Sequence, residues 1–556
     1  MSLTEIKKNT TEETEDIFIL GFQSGHDQSY CLLKNGIPII HEEYERHIRQ
    51  KEPHGDGMTM ANDFLDDGHI SKIKYASIGN GIGAKNSSPK WGNYSEDGFK
   101  KISESIENNK GELFKFGHHK SHAANAFFSS NFNESLIVTI DGGGTEEGPN
   151  GNTTANGFRT CFTFWRGKSN KIQKISLIPA ASCNIGVTWD RIVGEVYNLS
   201  TGHPHGSQAG TVMAMASVGD GDKYFNDFIN AKWGKGDTQL CNKFKRIVKP
   251  NFKKEDKEQW DVAASLQKAT EHTVKEKIDD YINDYNYLCL SGGVVLNSVM
   301  VGKMYDWWPH LQGIYVCPVP YDSGLAIGSA QYLWHQILNK PRIKWVDNAS
   351  PYLGQSYETP KSLLQYHANN SKKIKYRESS DNEVVELLSK GKIVCVSGGG
   401  SESGRRALGN RSILADPRNK NMKDIINEKV KHRQWFRPFA PSILREHVGE
   451  WFEHDIDSPY MTTVLRWKEE VKDKVPAVVH LDGTGRLQTV TQNDNRWYYN
   501  LIKKFRDKTG VPIILNTSFN DREPIVETPE NALDCFLRTN IDFLYFRDKN
   551  LLISKK

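Results

Sequence analysis

The sequence predicts a mixed α/β protein made of more than one compact unit, on three observations. At 556 residues the chain is several times the length of about 150 residues that one core usually serves. Apolar, strand-like runs ending in glycine-rich turns recur along it, interleaved with helical patterns. The composition is that of an ordinary globular protein, with 37% hydrophobic, 10% aromatic and 25% charged residues. A mean hydropathy of -0.60 leaves no apolar stretch of about 20 residues, which excludes a membrane-spanning protein, and the apolar content excludes a disordered scaffold.

From Asp16 the segment DIFILGFQSGHDQSYCLLKNGIPIIHEEYER reads as strand, polar turn, strand, Asn-Gly turn and strand, a β-meander whose first turn carries His26 and Asp27. GHHKSHAANAFFSS then reads as a helix. His118 and His122 are four apart, so on a helix their imidazoles project from one face about 5–6 Å apart, as two ligands of one metal ion would. The same spacing also suits a solvated histidine cluster. ESLIVTIDGGGT is a strand ending in Asp141, Gly142 and Gly143, and YLCLSGGVVLNS is a strand that meets Ser291, Gly292 and Gly293 before a helical pattern starting near Asn297. Glycines at a strand end let backbone N–H groups approach phosphate, although each such end, taken alone, fits a tight turn equally well. Asp141 and Asp322, the latter in PVPYDSGLAIGSA, complete a two-His, two-Asp set suited to Fe(II), Mn(II) or Zn(II).

Between residues 343 and 375 the text becomes loop-like, which places a boundary near residue 350 and divides the chain into units 1–345 and 350–556. NEVVELLSKGKIVCVSGGG then opens the second α/β unit, and no internal repeat is evident. In that unit Arg406, Arg411, Arg418, Lys431, Arg433 and Arg437 cluster among glycines and prolines, in turns rather than along a helix stripe. Guanidinium forks match phosphate oxygens in pairs, so an anion site is expected there. The eight cysteines form no CxxC pair and read as reduced, buried residues. The polar, acidic N-terminal stretch has no apolar segment of a secretory signal, so a cytoplasmic location is expected. The net charge of +4 gives no global basic field. One insert does interleave Lys243, Lys245, Arg246 and Lys249 with Phe244, Phe252 and Trp260. It suits either a nucleic-acid backbone with stacked bases or a plain solvated surface, and the cluster Arg46 to Lys51 could rim the same cleft.

A hairpin with a polar turn, a strand ending in DGGG and a strand-SGG-helix unit, in that order, resemble the ASKHA superfamily of actin, Hsp70 and sugar kinases. HHKSHA, TIDGGG, LSGGVVLN and PYDSGLAIGSA resemble the transferase domain of the tRNA threonylcarbamoyladenosine enzyme and of the O-carbamoyltransferases built on it. ESGRRALGNRSILADPRNKNMKDIINEKVKHRQWFRPFAPSIL and GVPIILNTSFNDREPIVETPENALDCFLRTNIDFLYF resemble the nodulation, cephamycin and tobramycin O-carbamoyltransferases, and the likeness covers nearly the whole chain.

The resemblance implies a two-lobed ASKHA-type N-terminal domain followed by a YrdC-like α/β domain with a twisted sheet. The second domain would form carbamoyl-adenylate from carbamoyl phosphate and ATP with Mg2+, releasing phosphate and pyrophosphate, and is expected to do so on its own. Arg406, Lys431 and Arg437, with Arg486 of LDGTGR and Ser518 and Asn520 of NTSFN, are implied contacts, and Arg411, Arg418 and Arg433 accompany them. The first domain would pass the carbamoyl group to an acceptor hydroxyl at a metal, Fe2+ before Mn2+ or Zn2+, held by His118, His122, Asp141 and Asp322. Gly142, Gly143, Ser291, Gly292, Gly293 and Asn297 would contact nucleotide, and His26, oriented by Asp27, would take the acceptor proton.

Three departures stand out. The family's GPRALG is GRRALG here, and Arg405 is expected to restore charge that the Gly400–Gly404 segment lacks at the adenylation site. The segment Gln208 to Ala214 lacks the family's lysine. The acceptor is expected to be a small natural product, sugar or nucleoside, or else a hydroxymethylated pyrimidine in DNA held by Lys243, Lys245, Arg246 and Lys249. A tRNA threonylcarbamoyladenosine-type transferase and a non-catalytic nucleic-acid-binding relative are the alternatives, and the latter would not need four metal ligands.

Overall fold

Two runs of three meander strands and two crossover strands give the first half its frame. In the computed structural model, which describes residues 16–80, 96–146, 158–199, 208–343, 351–370 and 373–556, strands β1 (Phe18–Gln23), β2 (Ser29–Lys34), β3 (Ile37–Glu43), β4 (Ile73–Ile78) and β5 (Glu112–Lys115) form one sheet in the order β3-β2-β1-β4-β5. The meander is antiparallel, and β4 and β5 add in parallel to β1. Strands β6 (Glu134–Glu146), β7 (Phe158–Lys168), β8 (Lys171–Pro179), β9 (Tyr287–Ser291) and β10 (Gly313–Val316) repeat the order as β8-β7-β6-β9-β10, with the same mixture of directions. This duplicated topology is the two-lobed ASKHA arrangement. The sequence shows no internal repeat because the lobes share strand order rather than residues.

Four helices matter for the site: α1 (His118–Ser129), α2 (Asp237–Ile247), α3 (Lys257–Ile282) and α4 (Gly324–Tyr332). Helices α1 and α4 lie against each other in the core, and Ala123, Ala124 and Ala126 are fully buried there. Small residues make the approach close, since a Cβ added at Gly328 would collide with the Ser121 carbonyl. The packing fixes α1 relative to β6 and β9; β9 ends at Ser291, whereas β6 does not end at Asp141 as expected but runs on to Glu146, with Asp141 at the register break between Ile140 and Gly144.

The second half forms a nine-stranded mixed sheet, from Ile374–Glu378 to Leu551–Lys555, around its own apolar core. Residues 344–350, beside the expected boundary, lie outside the described residues. The halves meet through a polar seam. The buried Arg46 guanidinium donates to the carbonyls of Glu402 and Gly404, and Arg49 donates to those of Pro524 and Ile525. Arg46 and Arg49 therefore clamp the two halves, and of the Arg46 to Lys51 cluster only Lys51 reaches the cavity described below. All eight cysteines are buried and free. Among the described residues no helix is long and apolar enough to cross a membrane.

Candidate functional site

His118 and His122 stand one turn apart on α1, at its N-terminal end, and their Nε2 atoms face Asp322 in the β10–α4 loop, with His122 Nε2 also facing Asp141 within β6. Their Nε2 atoms lie 3.2 Å apart. His122 Nε2 is 3.5 Å from Asp141 Oδ2 and 3.4 Å from Asp322 Oδ1, and His118 Nε2 is 3.6 Å from Asp322 Oδ1. Ligand atoms about 2.1 Å from a tetrahedral ion sit roughly 3.4 Å from one another, so this N2O2 set fits one divalent transition metal. Supporting bonds orient the ligands: His122 Nδ1 meets Ser291 Oγ at 3.1 Å, and the N–H groups of Gly142 and Gly293 donate to the Asp141 carboxylate at 2.5 and 2.6 Å. Burial opposes protonation of His122, yet the Asp141 and Asp322 carboxylates raise it to about 9. His118 is lowered, chiefly by burial. A buried and a largely buried carboxylate facing two buried imidazoles form a set whose charge a cation would balance.

His26 flanks this cluster, half exposed, with Nε2 3.2 Å from Asp322 Oδ2 and Nδ1 3.2 Å from Asp27 Oδ2. The Asp322 charge, reinforced by Asp27 against burial, raises His26 to about 10. Burial raises the Asp27 carboxyl, but Arg405 and His26 outweigh it and hold Asp27 near 2.

Across the same cavity, about 1320 Å³ in volume, stand Arg406, Lys431, Arg433, Arg437 and Arg486 of the second half. Among the described residues none of these five has a carboxylate within 4.0 Å. Burial, and then neighbouring guanidinium groups, lower Arg406 and Arg437 to about 10 and Arg433 and Arg486 well below their usual values. Lys431 is likewise lowered by burial, and its ammonium donates to Ser518 O, Asn520 O and Asn520 Oδ1 at 2.5, 2.8 and 2.6 Å. Five basic side chains with no carboxylate within 4.0 Å among the described residues suit a polyanion.

The structure brings together His118, His122, Asp141 and Asp322 as one cluster, with His26 and Asp27 beside it, and Arg406, Lys431, Arg433, Arg437, Arg486, Ser518 and Asn520 on the opposite wall. Several expected residues are elsewhere. Arg411 is buried in a strand and spends its guanidinium on the carbonyls of Glu527, Gly398, Gly399 and Asn410. Arg418 forms a fork with Asp416. Neither lines the cavity. Of the expected nucleotide contacts, Gly142, Gly293 and Asn297 line it, whereas Gly143, Ser291 and Gly292 do not, and the N–H groups of Gly142 and Gly293 go to Asp141 rather than outward. Lys243, Lys245, Arg246 and Lys249 do not line it either. Lys243 pairs with Asp227 at 2.5 Å and Lys245 with Glu195 at 2.6 Å, while Phe244 and Trp260 are core residues and present no stacking face. Arg405 does not join the anion site: it pairs with Asp27 and Glu52 of the first half. Thr211, in the segment that lacks the family's lysine, accepts from Arg437 at 2.6 Å. Sequence reasoning missed Gln267, Glu271 and Lys303, whose side chains interlink with Asn297 on the cavity wall. Gln267 and Glu271 on α3, and Lys303 on the helix Ser298–Trp307, read only as ordinary helix polarity.

A four-residue cluster whose donor set could hold a metal ion, and a group of basic side chains without carboxylate partners, adjoin one cavity between the first half and the second α/β sheet. Residues 100–331 match the family model described as carbamoyltransferase N-terminus, and residues 385–555 match carbamoyltransferase C-terminus. An uncharacterized protein of Methanocaldococcus jannaschii is 30% identical over 97% of this chain and 99% of its own. One of Synechocystis is 32% identical, covering 79% of this chain and 75% of its own, and the nodulation protein NolNO of Sinorhizobium fredii is 33% identical, covering 77% and 62%. The chain belongs to the carbamoyltransferase family of the nodulation type and is an enzyme of that class.

Proposed function

We propose that the protein makes carbamoyl-adenylate at the cation wall and transfers its carbamoyl group to an acceptor hydroxyl at the metal cluster. The observation that carries this reading is that Asp141 and Asp322 of the cluster, with His26, line the same cavity as the five basic side chains. In the first step water hydrolyses carbamoyl phosphate to carbamate and phosphate, a carbamate oxygen then bonds to the α-phosphorus of ATP, and the bond from that phosphorus to the pyrophosphate oxygen breaks, giving carbamoyl-adenylate and pyrophosphate. Arg406, Arg433, Arg437 and Arg486 hold the phosphates in fixed, partly desolvated positions, and Lys431 both holds charge and ties down the 518–520 loop. In the second step the acceptor oxygen attacks the carbonyl carbon, AMP leaves, and His26 takes the acceptor proton while Asp27 fixes its ring. A divalent metal held by His118, His122, Asp141 and Asp322, Fe2+ by donor set and resemblance, would supply Lewis-acid polarisation and neutralise Asp322, freeing His26 from its strongest acidic neighbour. Mg2+ accompanies ATP.

The acceptor is a small hydroxylated molecule such as a sugar, nucleoside or natural product. Such a molecule can bring its hydroxyl to His26 directly, whereas a hydroxymethylated pyrimidine in DNA would have to leave its stack, and the basic helix α2 lies away from the cavity with two of its lysines paired. Incubating the chain with ATP, carbamoyl phosphate, Mg2+ and a panel of hydroxyl compounds, free nucleosides and hydroxymethylated DNA tests the reading by mass spectrometry. Gain of one carbamoyl group on a small compound supports it, and gain on DNA alone reverses the acceptor assignment.

A further inference from the structure

Arg405 reaches from the second half into the first. Its NH2 lies 2.9 Å from Asp27 Oδ1 and its NH1 2.9 Å from Glu52 Oε1, and its guanidinium lies over the Tyr321 ring at 4.5 Å. Asp27 is buried, adopts a positive φ of 54°, and turns its other carboxylate oxygen toward His26 Nδ1. Its backbone carbonyl is held by Ser323 Oγ at 2.9 Å. The two ends of the Asp27 carboxylate thus have one partner each: His26 on one side and Arg405 on the other. Arg405 also rests on the residue next to Asp322, and the following residue, Arg406, stands in the cation wall.

We propose that Arg405 is a positioning residue for carbamoyl transfer, which fixes the Asp27 carboxylate and through it the His26 ring from the opposite half of the molecule. The inference rests on the functional reading above. Planarity and two-ended donation suit a guanidinium to bridging Asp27 and Glu52 while lying flat on Tyr321, and an ammonium keeps the charge but can make only a single-point contact. Loss of the bridge leaves Asp27 free to rotate, so His26 is held less often where it can accept a proton.

The test uses the full-length, metal-loaded chain, with water as the nucleophile. Water oxygen bonds to the carbonyl carbon of carbamoyl-adenylate, the bond from that carbon to the AMP oxygen breaks, and His26 takes the water proton, giving carbamate and AMP. Carbamoyl-phosphate-dependent pyrophosphate release reads the first step, and the single-turnover rate of AMP formation from bound carbamoyl-adenylate reads the second. Arg405→Gln is expected to keep pyrophosphate release within about twofold and to slow AMP formation on the order of tenfold, and Arg405→Lys, which keeps the charge but only one of the two contacts, to recover part of that rate. Equal AMP rates in wild type and Arg405→Gln, a parallel fall in both steps, or no recovery in Arg405→Lys would overturn the proposal. Absence of pyrophosphate release from the wild type would instead overturn the functional reading beneath it.

Discussion

His122 shows how many conditions one residue meets: fully buried, it faces His118, Asp141 and Asp322 through Nε2 and Ser291 through Nδ1. Its spacing from His118 made the pair legible in the sequence, because the helix period alone puts both rings on one face. Asp141 and Asp322 were legible only as carboxylates following apolar runs, since nothing local says that two positions 181 apart, one inside a strand and one in a loop, will converge. Arg411 was misread for the opposite reason. It is five residues from Arg406 in the same glycine-rich stretch, and only burial among carbonyls separates a structural guanidinium from a ligand-binding one. His118→Ala should cost the protein its bound transition metal, measured by elemental analysis against about one ion per chain in the wild type. Glu45, on the cavity wall, is raised to about 7 by burial and then Glu43. The folded state therefore holds a proton there that the unfolded state has lost, and stability falls as pH rises from about 4.5 to 7 by an amount on the order of 2–3 kcal/mol. Glu45→Gln should flatten that part of the stability curve in urea titrations at several pH values.

Two short elements decide what the basic residues do. Helix α2 carries Lys243, Lys245 and Arg246 on its outside and Leu240, Cys241 and Phe244 inside, so its aromatic belongs to the core and its lysines to solvent and to Asp227 and Glu195. The sequence shows the same letters for a nucleic-acid platform and for an amphipathic surface helix, and only the packing partner distinguishes them. Changing Lys243, Lys245, Arg246 and Lys249 to Gln together should leave carbamoylation of a small acceptor within about twofold, because exposed ion pairs contribute little; a large loss would place α2 at the site after all. The segment from Lys431 to Arg437 behaves differently. Phe436 belongs to the second half by sequence, yet it is buried in the core of the first, with its ring edge-on to Trp260 at 5.2 Å and tilted to Phe252 at 5.8 Å. Phe436→Ala removes a buried ring, costing about 3–5 kcal/mol, and releases the segment that places Arg433 and Arg437. Pyrophosphate release should fall in this variant even where it remains folded, as followed by near-ultraviolet dichroism.

At the scale of the molecule, the two α/β units and their order could be read from composition and strand-turn patterns, but the duplicated lobes and the seam could not. Arg46, Arg49, Arg405 and Phe436 all cross between the halves, each to a partner hundreds of residues away in sequence or in another core. These contacts bear against the expectation that the second half works alone, which a fragment would test. A fragment beginning near residue 351 would expose Phe436 and lose the Thr211 contact of Arg437, and it should release pyrophosphate at least about tenfold more slowly than the full chain. The central claim, that one cavity holds two chemically separate steps, is tested most directly by resolving those steps in Asp322→Ala and Arg406→Ala of the full chain. Arg406→Ala should lose a charge-assisted contact of about 1.5–3 kcal/mol and with it more than about tenfold in carbamoyl-phosphate-dependent pyrophosphate release. Asp322→Ala should keep that release while carbamoyl transfer stops. If Asp322→Ala abolishes both steps, or Arg406→Ala leaves pyrophosphate release unchanged, the division of labour between the metal cluster and the cation wall is wrong.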